Sequence, residues 1–227
     1  MSITEQKKSK TVGVIGAGSF GTAISNLLAY NTDVLLFSRK PNIVEEINRT
    51  GKNLGIDLSI RIKAVNDLQE LAERCNLIFP IVPSNSFRSM MKDLSPFLHP
   101  YHLLIHGTKG LDVQGVDESD LKNMTIKREN ISTMSEVILQ ESVVVRIGCL
   151  SGPNLSSEII KGQPTATVIA SKFNEVIKAG RRVLDSKRFH VFGSHDMLGA
   201  ELAGALKNAI AIGSGILDGL GLSLIHI

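Results

Sequence analysis

Cysteine is nearly absent. The chain has 227 residues and 2 cysteines, Cys75 and Cys149, too far apart in sequence to make a metal-type pair. Reduced thiols in a reducing, cytoplasmic compartment are the expectation. No cluster of His, Cys, Asp and Glu suggests a metal site. Strongly basic runs are missing too. The net charge is +3, and Lys7, Lys8 and Lys10 fall on a short polar tail, residues 1–10. Nucleic acid is therefore not an expected partner, whereas a small anionic ligand suits this mild excess. The tail lacks the apolar core of a secretory signal. Internal repeats and low-complexity linkers are absent. The most apolar stretch starts at Met197, but Glu201, Lys207 and Asp218 interrupt it. It reads as a buried helix of a soluble protein and not as a membrane span.

Hydrophobic residues make up 43% of the chain and charged residues 21%, which excludes disorder. The informative start is Thr11 to Tyr30, TVGVIGAGSFGTAISNLLAY. Val12, Val14 and Ile15 predict a buried parallel strand. Gly16, Gly18 and Gly21 follow with G-x-G-x-x-G spacing. Ala23, Leu27 and Tyr30, with Ile24 and Leu28 beside them, then recur as one side of a helix. Gly16 permits the tight turn, Gly18 leaves room for a pyrophosphate, and Gly21 lets helix and strand pack closely. The helix N-terminus faces the phosphates. The motif has the strand–turn–helix context that dinucleotide binding requires.

Further strand–helix alternation follows. Asp33 to Phe37 reads as a strand ending at Ser38-Arg39-Lys40, where a dinucleotide fold selects its ribose. No acid stands there, so the residues permit NADP and do not demand NAD. Pro41 to Arg49 reads as a helix, and Gly51 to Val65 as loop with a short strand at most. A helix over Asp67 to Arg74, capped by Asn66 or Asp67, precedes a strand over Asn76 to Val82. Phe87, in the next helix, either covers the cofactor or packs in the core. Tyr101 to His106 is a strand that presents Lys109 at its carboxyl end, between two glycines, in position to meet an anion. Leu111 to Glu129 is a polar excursion. Ile131 to Gln140 is a helix with Ser132 and Ser135 as candidate caps. Val143 to Leu150 is a strand leading into Ser151-Gly152-Pro153-Asn154 and another helix. Asn154 is either a helix cap or a substrate hydrogen-bonder. Thr165 to Ala170 and His190 to Phe192 are strands around a helix at Glu175 to Leu184.

From Met197 to Leu217 almost no polar face remains, so the helix is expected to be buried. Lys207 is the only Lys or Arg from Val191 to the end. An ammonium among Ala203, Leu206, Ala209 and Ile210 is costly unless paired or used, and acid–base catalysis is a use. Asn208 beside it either holds substrate or bonds locally.

Taken together, GAGSFG, Thr108-Lys109-Gly110, Ser151 to Asn154, Pro164-Thr165-Ala166 and the run Glu201 to Gly221 resemble the NAD-dependent glycerol-3-phosphate dehydrogenase family over nearly the whole chain. The fold so implied is α/β, a Rossmann-type doubly wound, mainly parallel sheet. It spans residues 11–194 as the dinucleotide-binding domain. Residues 195–227 would begin an all-helical second domain. The resemblance implies Lys207 as catalytic general acid/base. It puts Lys109, Gly152, Asn154 and Asn208 with substrate, and Gly16, Ala17, Gly18, Ser19, Phe20, Gly21, Arg39, Phe87, Lys109 and Ser156 with the cofactor. The cofactor is NAD, with NADP permitted. The reaction is hydride transfer between dihydroxyacetone phosphate and sn-glycerol 3-phosphate, in a homodimer without membrane or nucleic-acid partners. In this family an aspartate and an Asn-Arg pair of the second domain hold the substrate, so a chain ending at Ile227 is expected to be a truncated form, with residues 223–227 outside the family pattern. A β-hydroxyacid or 6-phosphogluconate-type dehydrogenase, and a non-catalytic cofactor-binding fragment, are the competing readings.

Overall fold

The computed structural model describes residues 11–115 and 127–221. The expectations for the tail at 1–10, for most of the polar excursion and for 223–227 lie outside these residues. The chain alternates strand and helix. The order is β1 (Thr11–Ile15), α1 (Ser19–Leu28), β2 (Asp33–Phe37), α2 (Pro41–Thr50), a hairpin of β3 (Lys52–Asn53) and β4 (Ile56–Asp57), β5 (Ile62–Val65), α3 (Leu68–Arg74), β6 (Leu77–Pro80), α4 (Ser84–Leu94) and β7 (Leu103–His106). Then come β8 (Asp112–Val113), β9 (Ile131–Ser132), α5 (Met134–Glu141), β10 (Ile147–Ser151), α6 (Ser156–Ile160), β11 (Thr165–Ala170), α7 (Asn174–Leu184), β12 (Phe189–Ser194) and α8 (Met197–Gly219).

Eight strands form one sheet in the order β12-β11-β10-β7-β6-β1-β2-β5. From β5 across to β10 all neighbours are parallel; β11 pairs antiparallel with β10, and β12 parallel with β11. The chain steps from β1 outward to β2 and β5, then returns to β6 on the other side of β1. That reversal opens a crevice above the carboxyl ends of β1 and β6, where such sheets bind ligands.

Side-chain alternation along β1 builds two cores. Val12 and Val14 join α1, α6 and α7 on one face. Ile15 joins α3, α4 and α5 on the other. The central strands are buried on both faces, which is why they read as continuous apolar runs. Apolar area removed from water stabilises at about 25 cal/mol per Å², so these two layers dominate the fold's stability.

The structure corrects several local expectations. Tyr30 lies beyond the end of α1 and is exposed, since the helix stops at Leu28. Residues 51–65 hold the short strand expected there, as the edge strand β5, and in addition a hairpin. The cap of α5 is Thr133, in a reciprocal capping box with Glu136, not Ser132 or Ser135. Strand β10 starts at Ile147, and Val143 and Val145 are exposed ahead of it. Asp67 caps α3, accepting from the Gln69 and Glu70 N–H groups.

The largest correction concerns α8. It was expected to be buried, yet Gly204 is its only buried residue. Leu206, Ile210, Ile212 and Ile216 are each more than half exposed. The helix packs one side on β10 and β11 and is tied through Glu201 to α5 and β7, while its apolar side chains from Leu206 onward stay largely exposed. No described helix is long and apolar enough to cross a membrane.

Candidate active site

The turn after β1 separates the three glycines by what each one prevents. Gly16 has φ +121°, and a Cβ there would lie 2.0 Å from the Ile81 carbonyl oxygen. A Cβ on Gly21 would lie 1.8 Å from the Gly16 oxygen. These two glycines are required by the protein's own packing. Gly18 is different: nothing lies within 4 Å of its Cβ position, and its φ of −77° suits any residue. The space beside Gly18 is open on the side where a pyrophosphate would approach the helix terminus. No side chain caps α1, so its first N–H groups are left for such a ligand. The chain therefore fits a dinucleotide at this turn.

A cleft of about 320 Å³, at the lower end for small-molecule sites, runs from Gly16, Ala17 and Gly18 past Ser38, Arg39 and Lys40. Ser38 is buried and its Oγ accepts from the Lys40 N–H at 3.3 Å, which fixes the turn. Arg39 and Lys40 stay exposed at the rim. The other wall comes from the end of β6 and the start of α4, through Val82, Pro83, Ser86 and Met90. Sequence reasoning had not assigned that wall, although the turn between the strand expected over Asn76 to Val82 and the next helix was the signal. Ser19 is exposed at the helix start. Phe87 stands apart from the expectation that it lines the cofactor. Its ring is fully buried and meets His106 edge-on at 5.9 Å, so it anchors α4 in the core.

The second half of the site forms where β7, β10 and α8 meet. Lys109 follows β7, and its Nζ lies 5.7 Å from the centre of the half-buried Phe20 ring. Burial, followed by the neighbouring Lys207 ammonium, pushes Lys109 down to about 8. Lys207 is partly buried and donates from Nζ to the Gly152 oxygen at 2.9 Å. Two lysines from elements about a hundred residues apart thus point into one place, an arrangement that favours an anion between them.

The path of α8 explains this meeting. Ser151 Oγ donates to the Ala200 oxygen at 2.8 Å, and Gly204 lies against the Ser151 hydroxyl. Residues 197, 200, 204 and 207 recur at helical spacing, so one stripe of α8 follows β10 to its carboxyl end. Glu201 locks the helix from the side. Its Oε1 accepts from the Ser135 N–H at 2.9 Å and lies 3.0 Å from His106 Nε2. Sequence reasoning missed His106 and Glu201, because neither has a local pattern that marks a partner.

Asn154 is buried, with Nδ2 donating to Thr167 Oγ1 at 2.8 Å. Its Oδ1 is buried with no partner among the described residues. An unmet buried acceptor costs about 1–3 kcal/mol, which a ligand donor would remove. Ser156 opens α6 half-buried, two residues on from Asn154. Asn208 is exposed and adjoins Lys207 along α8. Among the described residues no group of His, Cys, Asp and Glu can hold a metal.

Fold and site together define a Rossmann-type nucleotide fold with a glycine cradle and a lysine-bearing helix, the architecture of nucleotide-dependent dehydrogenases. The chain belongs to the NAD-dependent glycerol-3-phosphate dehydrogenase family: the family's N-terminus matches residues 11–177 and its C-terminus residues 196–224. It is 37% identical over 219 residues to the glycerol-3-phosphate dehydrogenase [NAD(P)+] of Acinetobacter baylyi, covering 94% of this chain and 57% of that protein. With the enzyme of the same name from Geobacter metallireducens it shares 35% identity, over 93% of this chain and 61% of that one. The solved glycerol-3-phosphate dehydrogenase from Coxiella burnetii superimposes with a TM-score of 0.79 at 30% identity, over 95% of this chain and 63% of that chain. The structure of the Dunaliella salina protein shares the fold, with a TM-score of 0.82 at 23% identity, over 96% and 39%. The chain thus spans little more than half the length of the curated relatives it matches.

Proposed function

We propose that this chain supplies the cofactor half and the proton-transferring amine of an enzyme that interconverts dihydroxyacetone phosphate and sn-glycerol 3-phosphate. The cofactor is NAD(H). The acid-free rim at Arg39 and Lys40, and the NAD(P)+ naming of the relatives, support NADP(H) as an alternative. Residues 11–194 act as the dinucleotide-binding domain, and 195–227 begin the helical substrate domain. The uncovered apolar side of α8 supports a further covering element, or a second copy in a homodimer. Cys75 and Cys149 are free and buried, each thiol pushed up to about 12 chiefly by burial, in keeping with a reducing, cytoplasmic setting.

Bound at this turn, a nicotinamide would supply hydride to the carbonyl carbon of the ketone, or take it back from the same carbon of the alcohol. Gly18 and the open start of α1 would hold the pyrophosphate, and Arg39, at the far rim of the cleft, would meet the adenosine end. Lys207 donates the proton to the carbonyl oxygen as it becomes a hydroxyl, and its charge stabilises that oxygen beforehand. Lys109, beside it, attracts the phosphorylated substrate. Asn154 offers its unmet Oδ1 to a substrate hydroxyl, with Gly152 shaping the turn, and Asn208 borders the site.

The observation that carries this reading is the convergence of Lys207, Lys109 and the Gly152 oxygen beyond the glycine turn. The test mixes NADH with dihydroxyacetone phosphate, or NAD with β-hydroxyacids, and follows NADH absorbance with the full-length protein. Turnover of the phosphorylated ketone is expected, and Lys207→Ala should abolish it while NADH binding persists. Turnover with hydroxyacids alone would overturn the proposal. NADH binding without any turnover would favour the non-catalytic reading.

A further inference from the structure

The glycine turn is held by a residue that lies far beyond it in sequence. Asn53, at the end of β3, is buried, and its Nδ2 donates twice: to the Ala17 oxygen at 2.9 Å and to Thr22 Oγ1 at 2.8 Å. Thr22 Oγ1 in turn donates to the Gly18 oxygen at 2.8 Å. One side chain therefore ties the Ala17 and Gly18 peptide oxygens of the turn, the first directly and the second through a hydroxyl. The direct tie has a directional consequence. A trans peptide is planar, with its C=O and N–H pointing opposite ways. Fixing the Ala17 oxygen toward Asn53 turns the Gly18 N–H to the other side. No peptide bond in the described chain is cis.

The hairpin that delivers Asn53 is strained, yet firmly attached. Leu54 and Gly55 form its two-residue turn with φ +51° and +76°. Such turns favour Gly or Asn at both positions, and a leucine there costs about 1–2 kcal/mol. The Leu54 side chain is 60% exposed, so packing does not offset that cost. The hairpin is nonetheless fastened to α1, through Asn26 Nδ2 to the Asp57 oxygen at 3.0 Å and the Ser59 N–H to Asn26 Oδ1 at 3.0 Å. Strain kept in a segment whose buried polar end reaches a ligand turn points to a use for that end.

We infer that Asn53 is a positioning residue for phosphate binding: it aims the Gly18 N–H at the pyrophosphate and keeps the turn in its binding conformation before the ligand arrives. This role rests on the dinucleotide reading above. It assigns Asn53 to the phosphates and not to the adenosine, which would lie against the Ser38 to Lys40 end of the cleft.

Calorimetric titration of the full chain with ADP and with adenosine tests the inference. Asn53→Ala is expected to weaken ADP about ten-fold, the worth of one lost hydrogen bond at the upper end, and adenosine by less than about two-fold. Equal weakening of both probes, or of neither, overturns the role. Should circular dichroism show Asn53→Ala unfolded, Asn53→Gln carries the same expectation, because its amide is displaced by one methylene. A wild-type chain that fails to bind ADP overturns the dinucleotide reading and this role together. Wild-type binding of ADP that neither variant weakens overturns the role alone.

Discussion

Substituting alanine separately at Gly18 and Gly21 divides the ligand's requirement from the fold's. At Gly21 the new Cβ would sit 1.8 Å from the Gly16 oxygen, a backbone atom that cannot rotate away. Restoring even a tight 3.0 Å contact moves α1 off β1 by about 1.2 Å, the difference between those two distances. A gap of that order forfeits a quarter to a half of each dispersion contact. On α1 these contacts belong to Ala23, Ile24, Leu27 and Leu28, all buried. The expected cost is about 3 kcal/mol or more. For a chain of this size that lowers Tm by about 6–12 °C. At Gly18 the same methyl meets nothing within 4 Å, and φ −77° with ψ 180° suits alanine. Losing a glycine N-cap costs about 1 kcal/mol at most, or about 2–4 °C. The methyl would nonetheless occupy the approach of the pyrophosphate, so NADH should bind at least about ten-fold more weakly. Differential scanning calorimetry and NADH fluorescence titration read the two effects. A Gly18→Ala chain that binds NADH as tightly as wild type, or a Gly21→Ala chain with unchanged Tm, would refute the reasoning.

Replacing Lys207 by methionine removes the charge beside Lys109 but leaves its burial. The Lys109 midpoint should then rise above about 8 and stop short of its ordinary 10.5, read from the pH dependence of Lys109 acetylation by mass spectrometry. A midpoint that stays near 8 would contradict the proposed proximity. In wild type, folded Lys109 loses its proton near 8 and the unfolded chain only near 10.5. This group's contribution to stability therefore grows as pH rises between those values, and Lys207→Met should flatten that rise. Leu54→Gly should raise Tm by about 2–4 °C, since about 1 kcal/mol of left-handed strain is released. Glu201→Ala should cost about 1–3 kcal/mol in urea denaturation near neutral pH, because it removes the buried carboxylate that the Ser135 N–H and His106 Nε2 meet. Burial favours the protonated Glu201 carboxyl, but the His106 bond, then the Ser135 N–H, hold it below its ordinary 4.5. Its stabilisation is therefore present above 4.5 and fades as pH falls further, so the wild-type and Glu201→Ala denaturation midpoints should converge in acid.

The order of strands and helices, the glycine turn and the isolation of Lys207 as a lone cation were legible in the sequence. Each is a local signal: alternation of buried strand runs with helical spacing, three glycines at fixed offsets, and one cation in an otherwise apolar run. Local patterns fix which face of an element is apolar and where a turn falls. They do not fix which distant element comes to meet it. Only the tertiary structure carried α8 along β10, so that Lys207 reaches the Gly152 oxygen beside Lys109. It sent the Phe87 ring into the core, paired His106 with Glu201, and brought Asn53 across 36 residues to the glycine turn. It also left α8 largely uncovered, because burial depends on what packs against a helix and not on how apolar the helix is. Strand order and helix path are set by the balance of the whole core, and that balance is spread over residues far apart in the chain.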